Sequence, residues 1–202
     1  MRRQGRSRRA LSEAAFSAFS IAVLAAAPLG CGNPAVDARI EALGEENPNV
    51  PPSEFHRPGQ PCVLCHSIYE AAGPEITVGG TIFGSPAKKQ GELPVAVEGA
   101  EVTLTDAEGE VKSATTNCAG NFFFTKEQWN PSFPLRVEVR YPSPGASDQQ
   151  KPAPPMSSRI SRDGSCAGCH YGPPNQGTPG YVFCEESPAV EFPVPKCVGV
   201  TP

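Results

Sequence analysis

Two runs, Cys62-Val63-Leu64-Cys65-His66 and Cys166-Ala167-Gly168-Cys169-His170, constrain this chain more than any other feature. Each reads C-x-x-C-H, the attachment signal for a c-type haem. Two intervening residues let both thiols add to the vinyl groups along one porphyrin edge, and the adjoining histidine then reaches the iron from one face. Cys62, Cys65, Cys166 and Cys169 are therefore the candidate thioether anchors, with His66 and His170 as candidate iron ligands. Two covalently attached haem c groups are the cofactor expectation. The competing chemistry is zinc, because two C-x-x-C pairs could build a tetrahedral four-thiolate site. Such a site needs no histidine, yet both pairs carry one in a chain with 3 His among 202 residues. Pairs this tightly spaced are also poor structural disulfides.

The composition sets the kind of scaffold that could hold such groups. With 24 Pro and 20 Gly the chain is no helical bundle; strands, turns and irregular loops are expected. By length it is one medium domain with appendages. Buried porphyrins would replace part of a side-chain core, so loop-rich cofactor segments are tolerable.

Residues 1–30 read as a secretory signal. Arg2, Arg3, Arg6, Arg8 and Arg9 form a basic head, followed by an apolar, Ala-rich run from Ala14 to Leu29 that is short for a membrane span. The run ends at Leu29-Gly30-Cys31-Gly32, which resembles a bacterial lipobox, with Cys31 as the lipidated residue; Pro28 departs from that pattern. Gly32 stands where an Asp would retain the protein at the inner membrane, so the resemblance implies an outer-membrane lipoprotein. Plain cleavage nearby would instead give a soluble periplasmic protein. Either way the expected location is the cell envelope, with the cell surface as one face it could occupy. Ser7-Arg8-Arg9 hints at a twin-arginine route, but that route carries folded cargo, and haem is attached to unfolded protein after export.

Removing residues 1–30 takes away five Arg and Glu13, leaving 172 residues with 12 Lys and Arg against 20 Asp and Glu, a net −8. An acidic surface argues against nucleic acid and suits a redox partner protein with a basic docking face. A solvated acidic surface without a partner is equally compatible.

Four of the 8 Cys are assigned to haem and Cys31 to lipid, leaving Cys118, Cys184 and Cys197. An oxidising compartment permits a disulfide. Cys184 and Cys197 bracket a short Pro-rich tail and are the economical pair, with Cys118 free or displacing one of them; spacing does not fix the connectivity.

Along the mature chain, 31–52 is expected to be a tether with one helical turn at 35–43. Residues 53–73 form the first haem segment. His56 lies six residues before Cys62 across a Pro-Gly turn and is the candidate ligand on the far side of the first iron, giving a six-coordinate site. Arg57 is a candidate to neutralise a propionate, with a solvated Arg the equal alternative. Residues 74–141 alternate strand-like stretches with turn signals: 75–83, 96–99, 101–105, 110–115, 121–125 and 135–141. In Glu101-Val102-Thr103-Leu104-Thr105, in Leu135, Val137, Val139 and Tyr141, and in Phe122 and Phe124, the period of two points to antiparallel strands with one buried face. The fold class expected is mainly β: a small Greek-key β-sandwich flanked by loop-rich haem-binding segments, with little helix. Residues 142–160 are expected to be a hydrophilic linker with a final strand near 156–160, and 161–202 the second haem segment and Cys-containing tail. Met156 is the last methionine after signal removal and a candidate thioether ligand opposite His170; an ordinary half-buried Met is the alternative.

Within 74–141, Gly80-Thr81-Ile82, Val97 to Asp106, Gly109, Thr115-Thr116-Asn117 and Gly120-Asn121-Phe122-Phe123-Phe124 resemble the carboxypeptidase regulatory-like (transthyretin-like) β-sandwich. That module is structural or adhesive, so the resemblance implies a scaffold and carries no catalytic residues. With the two C-x-x-C-H runs, the chain resembles a secreted, lipid-anchored dihaem c-type cytochrome that transfers electrons and is not an enzyme. The competing functions are a dihaem peroxidase, which needs one open iron position, and a zinc-binding structural lipoprotein. The lipobox reading generates the first prediction: Cys31→Ser moves the protein from the membrane fraction to the soluble periplasm, read by fractionation.

Overall fold

Alternation of apolar and polar side chains turns into two facing sheets in a computed structural model of the chain. The described residues are 33–46, 48, 50, 52–67, 73–89, 91–172, 174 and 177–197. The expected signal sequence and Cys31 lie outside them. Seven strands are present: β1 (Ile76–Phe83), β2 (Glu101–Thr105), β3 (Val111–Thr115), β4 (Asn121–Thr125), β5 (Arg136–Ser143), β6 (Ala146–Pro152) and β7 (Val182–Phe183). One sheet has the order β4-β1-β7 and the other β3-β2-β5-β6. β1 pairs with β4 and β2 with β5, partners not adjacent in sequence, so the chain crosses between the sheets as in a Greek key. Helix is confined to α1 (Pro34–Ala42), the single turn α2 (Cys62–Cys65) and a 3₁₀ turn at Cys166–Gly168. The expected mainly-β sandwich with little helix is the fold observed.

Between the sheets lies one core. Val102 and Leu104 of β2 are fully buried and face Val78, Ile82, Phe122 and Phe124 of the opposite sheet, with Leu135, Tyr141 and Trp129 completing the cluster. The polar residues between them point outward: Glu101 stands opposite Arg140, Thr103 opposite Glu138 and Thr105 opposite Arg136. The tight turn read at Asp106–Gly109 is held by the Asp106 carboxylate, which accepts from the backbone N–H groups of Glu108, Glu110 and Ser132.

β1 does not alternate. From Val78 to Phe83 every residue is buried. Its inner side packs in the sandwich core, β4 takes one edge, and the other edge is met twice by the second motif's segment. That segment bridges Ser165 to Gly79 and then pairs Val182–Phe183 in parallel with Ile82–Phe83. Gly164 is required at the first crossing, because a Cβ there would sit 1.9 Å from the Thr77 carbonyl oxygen.

Four sequence expectations change, the first being the strand-like stretch at 96–99, which reduces to one bridge from Ala96 to Phe83. The linker over 142–160 contains β6, a hairpin partner of β5. Its run Ser147-Asp148-Gln149-Gln150-Lys151 has no apolar alternation because an outer strand can be held by its backbone hydrogen bonds to β5. The final strand near 156–160 reduces to one bridge, Ile160 to Leu135. The tether is in part a three-turn helix capped by Asn33, whose side chain accepts from the Ala35 N–H at 3.1 Å, with Pro34 opening the helix.

The disulfide is also different from the economical pair. Cys118 is bonded to Cys197, with Cα atoms 5.3 Å apart and 79 residues between them in sequence. Cys184 is drawn inward instead: its N–H donates to the Phe83 carbonyl and it is 1% exposed. Burial pushes its thiol up to about 12, so it stays protonated and inert. Cys197→Ser or Cys118→Ser is expected to cost about 2–5 kcal/mol of stability, as for a long closed loop, measured by denaturant unfolding. Peptide mapping without reduction should recover Cys118 linked to Cys197 in the wild type and in Cys184→Ser.

Candidate functional site

The two C-x-x-C-H runs share one local geometry. In the first, the His66 N–H donates to the Cys62 carbonyl at 3.0 Å; in the second, the His170 N–H donates to the Cys166 carbonyl at 2.8 Å. Each run is thus a single helical turn, which sets first cysteine, second cysteine and histidine at i, i+3 and i+4 on one face. That is the arrangement needed for three bonds to one planar group.

The first segment lies flat on the outer face of β1 and β4. A short network holds it there. Gly59 donates its N–H to Thr81 Oγ1 at 2.7 Å, and Thr81 Oγ1 donates to Asn121 Oδ1 at 2.7 Å. Asn121 Nδ2 donates in turn to the carbonyls of Glu54 at 3.2 Å and His56 at 3.1 Å. Thr81 and Asn121 are buried, so their polar groups require these partners, and the network fixes the backbone of His56.

Between this segment and the sheet is a cavity of about 610 Å³, within the range of small-molecule and cofactor sites. Leu43, Ile76, Phe122 and Phe123 give it apolar walls, and Cys62, Cys65, His66 and His56 all line it. The His56 and His66 rings stand with centres 5.8 Å apart. Two imidazoles sharing one metal atom, with nitrogen–metal bonds of about 2.0–2.1 Å, hold their centres about 6 Å apart.

Both rings are oriented by the backbone. His66 Nδ1 bonds the Pro74 carbonyl at 3.2 Å, and His56 Nδ1 bonds the Ser53 carbonyl. His170 does the same with Gly180 at 3.0 Å. A carbonyl oxygen only accepts, so each Nδ1 carries the proton and each neutral ring keeps its lone pair on Nε2. Among the described residues no protein group hydrogen-bonds any of the three Nε2 atoms. A histidine whose other nitrogen donates to a backbone carbonyl is the usual second shell of a metal ligand.

The two thiols and one histidine of each motif are the residues that attachment of a c-type haem would use. No group of three or more His, Cys, Asp or Glu side chains among the described residues converges on a point where a metal ion could sit. A c-type haem would take the thiols at its vinyl groups and the histidine at its iron, so the three side chains need not meet at one point. Burial pushes the Cys62 thiol up to about 11 and the Cys166 thiol to about 12, so both stay protonated until they react.

Arg57 is committed elsewhere than a propionate. Its guanidinium donates to Glu46 Oε1 at 2.9 Å, Gln60 Oε1 at 2.7 Å and the Gly44 carbonyl at 2.9 Å. The Arg57 hydrogen bond holds the Glu46 carboxyl below its ordinary range. This clamp brings the end of the expected tether over the cavity, where Leu43 and Glu46 form part of the lining. The sequence reading missed both, and it missed Thr81 and Asn121.

At the second motif, Thr178 is the pin. Its hydroxyl donates to the Cys169 carbonyl at 2.8 Å and accepts from the N–H groups of Tyr171 and Gly180. Cys166 packs against the sandwich core, whereas Cys169 is exposed. With His56 at the first motif, the chain has no further histidine for the second. Met156 is half-buried in the irregular connection after β6.

Asn121→Ala is expected to cost about 1–3 kcal/mol, because the buried Thr81 hydroxyl loses its acceptor and the His56 carbonyl its donor. A lower urea midpoint with faster proteolysis within 53–66 is the readout. Compared with known proteins, the chain matches no family model, no curated protein and no solved structure.

Proposed function

We propose that this protein is a secreted, lipid-anchored dihaem c-type cytochrome of the cell envelope that carries electrons between partner proteins. The observation that carries the reading is the pair of histidines flanking one cavity that also exposes Cys62 and Cys65, each with Nδ1 tied to a carbonyl and Nε2 left for a metal. When bound, haem supplies one-electron ferric–ferrous chemistry.

The chain's own residues do the rest. Cys62 and Cys65 anchor the first group, and Cys166 and Cys169 the second. His66 and His170 would ligate the iron of their own group, and His56 would supply a further ligand at the first site. The apolar walls exclude water, favouring electron transfer over ligand exchange. The sandwich, on its resemblance to the carboxypeptidase regulatory-like module, acts as scaffold. Net negative charge on the mature chain suits docking to a basic partner surface. No catalytic residue is assigned.

Expression with haem-attachment machinery should yield a mature mass with two haems and a band that stays peroxidase-stained on a denaturing gel. A colourless, zinc-rich product would replace this reading by that of a structural lipoprotein. His56→Ala should convert one haem of the two from low-spin to high-spin while leaving both attached, seen in the absorption and electron paramagnetic resonance spectra. If Met156 ligates the second iron, Met156→Ala abolishes the sulfur–iron band of the oxidised protein; an unchanged spectrum removes it from the coordination sphere. A second site that is high-spin as isolated and turns over peroxide would favour the peroxidase.

A further inference from the structure

The two motifs are over a hundred positions apart in sequence, yet they meet at two neighbouring glycines. Gly79 and Gly80 sit in the middle of β1, paired with Phe123 and Phe122 of β4. Successive strand residues face opposite sides of a sheet. A Cβ on Gly79 would lie 3.3 Å from Cys62 Sγ, and a Cβ on Gly80 would lie 2.6 Å from Cys166 Sγ. The first cysteine of each motif therefore presses against the bare backbone of the same strand, one on the outer face and one on the core face. Adjacent Cα atoms are about 3.8 Å apart, so the two sulfurs are within about 13 Å of each other. At Gly79 a Cβ would be a tight fit, and at Gly80 something would have to shift to admit one. At Gly80 any side chain would overlap both Cys166 Cβ, at 2.7 Å, and its sulfur.

We infer that Gly79-Gly80 is a window in β1 that makes the two cofactor sites one coupled unit, with electrons passing between them through a single strand. The inference rests on the dihaem reading. The step moves one electron from the donor site to the acceptor site; the first is oxidised, the second is reduced, and no bond forms or breaks. Charge gained at one site is felt at the other, so the two sites titrate as an interacting pair, not as independent carriers. Their surroundings are unequal: the first site lines a cavity that also holds two histidines, and the second has an exposed attachment cysteine, Cys169. The exposed side is the port through which an external partner exchanges electrons.

The test uses the full-length protein matured with haem-attachment machinery. Mass is measured first: a product without haem overturns the dihaem reading itself and is thereby told apart from failure of the coupling. On protein carrying two haems, circular dichroism in the Soret region should show a two-signed exciton couplet, and the couplet should vanish in the single-haem variant Cys166→Ala/Cys169→Ala. In that variant the remaining site should also lose the second phase of the redox titration and shift its midpoint. Gly80→Val should displace Cys166 and give either one haem by mass or a weakened couplet. Two attached haems with no couplet, or a Gly80→Val protein with both haems and an unchanged couplet, would overturn the inference. Should Gly80→Val not fold, the comparison of wild type with Cys166→Ala/Cys169→Ala decides it alone.

Discussion

One strand must be approachable from both faces and along one edge, and the remainder of the structure follows from that requirement. Ordinary sandwich strands have one core face and one solvent face. β1 has the core on one side, the first motif's segment on the other, β4 along one edge and the second motif's segment along the other. Gly79 and Gly80 make this possible. Each glycine costs about 0.5–1 kcal/mol relative to Ala in a strand interior. Burial of β1 on all sides, with Val78 and Ile82 nearly inaccessible, offsets that cost.

The two loop-rich segments are held to this strand differently. Asn121 and Thr81 secure the first by buried hydrogen bonds, whereas the second is tied internally by Thr178 and docks through backbone pairing and the packing of Cys166, Val182 and Cys184 against the core. Hydrogen bonds are directional, so they fix where a ring points as well as where the chain runs. The three histidines extend the same device, since a backbone carbonyl selects which nitrogen remains available. Tyr141 adds a further tie, donating to Glu185 Oε1 at 2.5 Å and thereby joining β5 to the chain after β7. Pre-set orientation of this kind lowers the reorganisation needed when a cofactor is seated.

Legibility varied along the chain for identifiable reasons. β2 and β4 were readable to the residue, because Val102 and Leu104, and Phe122 and Phe124, alternate with residues of the outer face. β6 was not, because its stability lies in backbone pairing with β5 and its polar side chains carry no period. The role of the segment before the first motif was hidden as well: α1 is weakly amphipathic, and its connection to the cavity depends on the Arg57 clamp to Gly44 and Glu46, a contact between residues 11 and 13 positions apart. Asn121 looked like an ordinary strand start. Gly79-Gly80 did leave a signal, since adjacent glycines inside an apolar strand mark a close approach.

The sequence by itself determined the class of scaffold and supplied the two C-x-x-C-H runs on which the proposed chemistry rests. Spacing within each C-x-x-C-H run is local, and a single helical turn expresses it; alternation is local too, and a sheet expresses it. The tertiary structure decided what is non-local: that His56 faces His66, that Cys118 and not Cys184 reaches Cys197, and that both motifs converge on one strand. Those outcomes depend on which segments compete for the same faces and edges of β1. That competition is settled by packing and hydrogen bonding between residues far apart in the chain, about which no local pattern carries information.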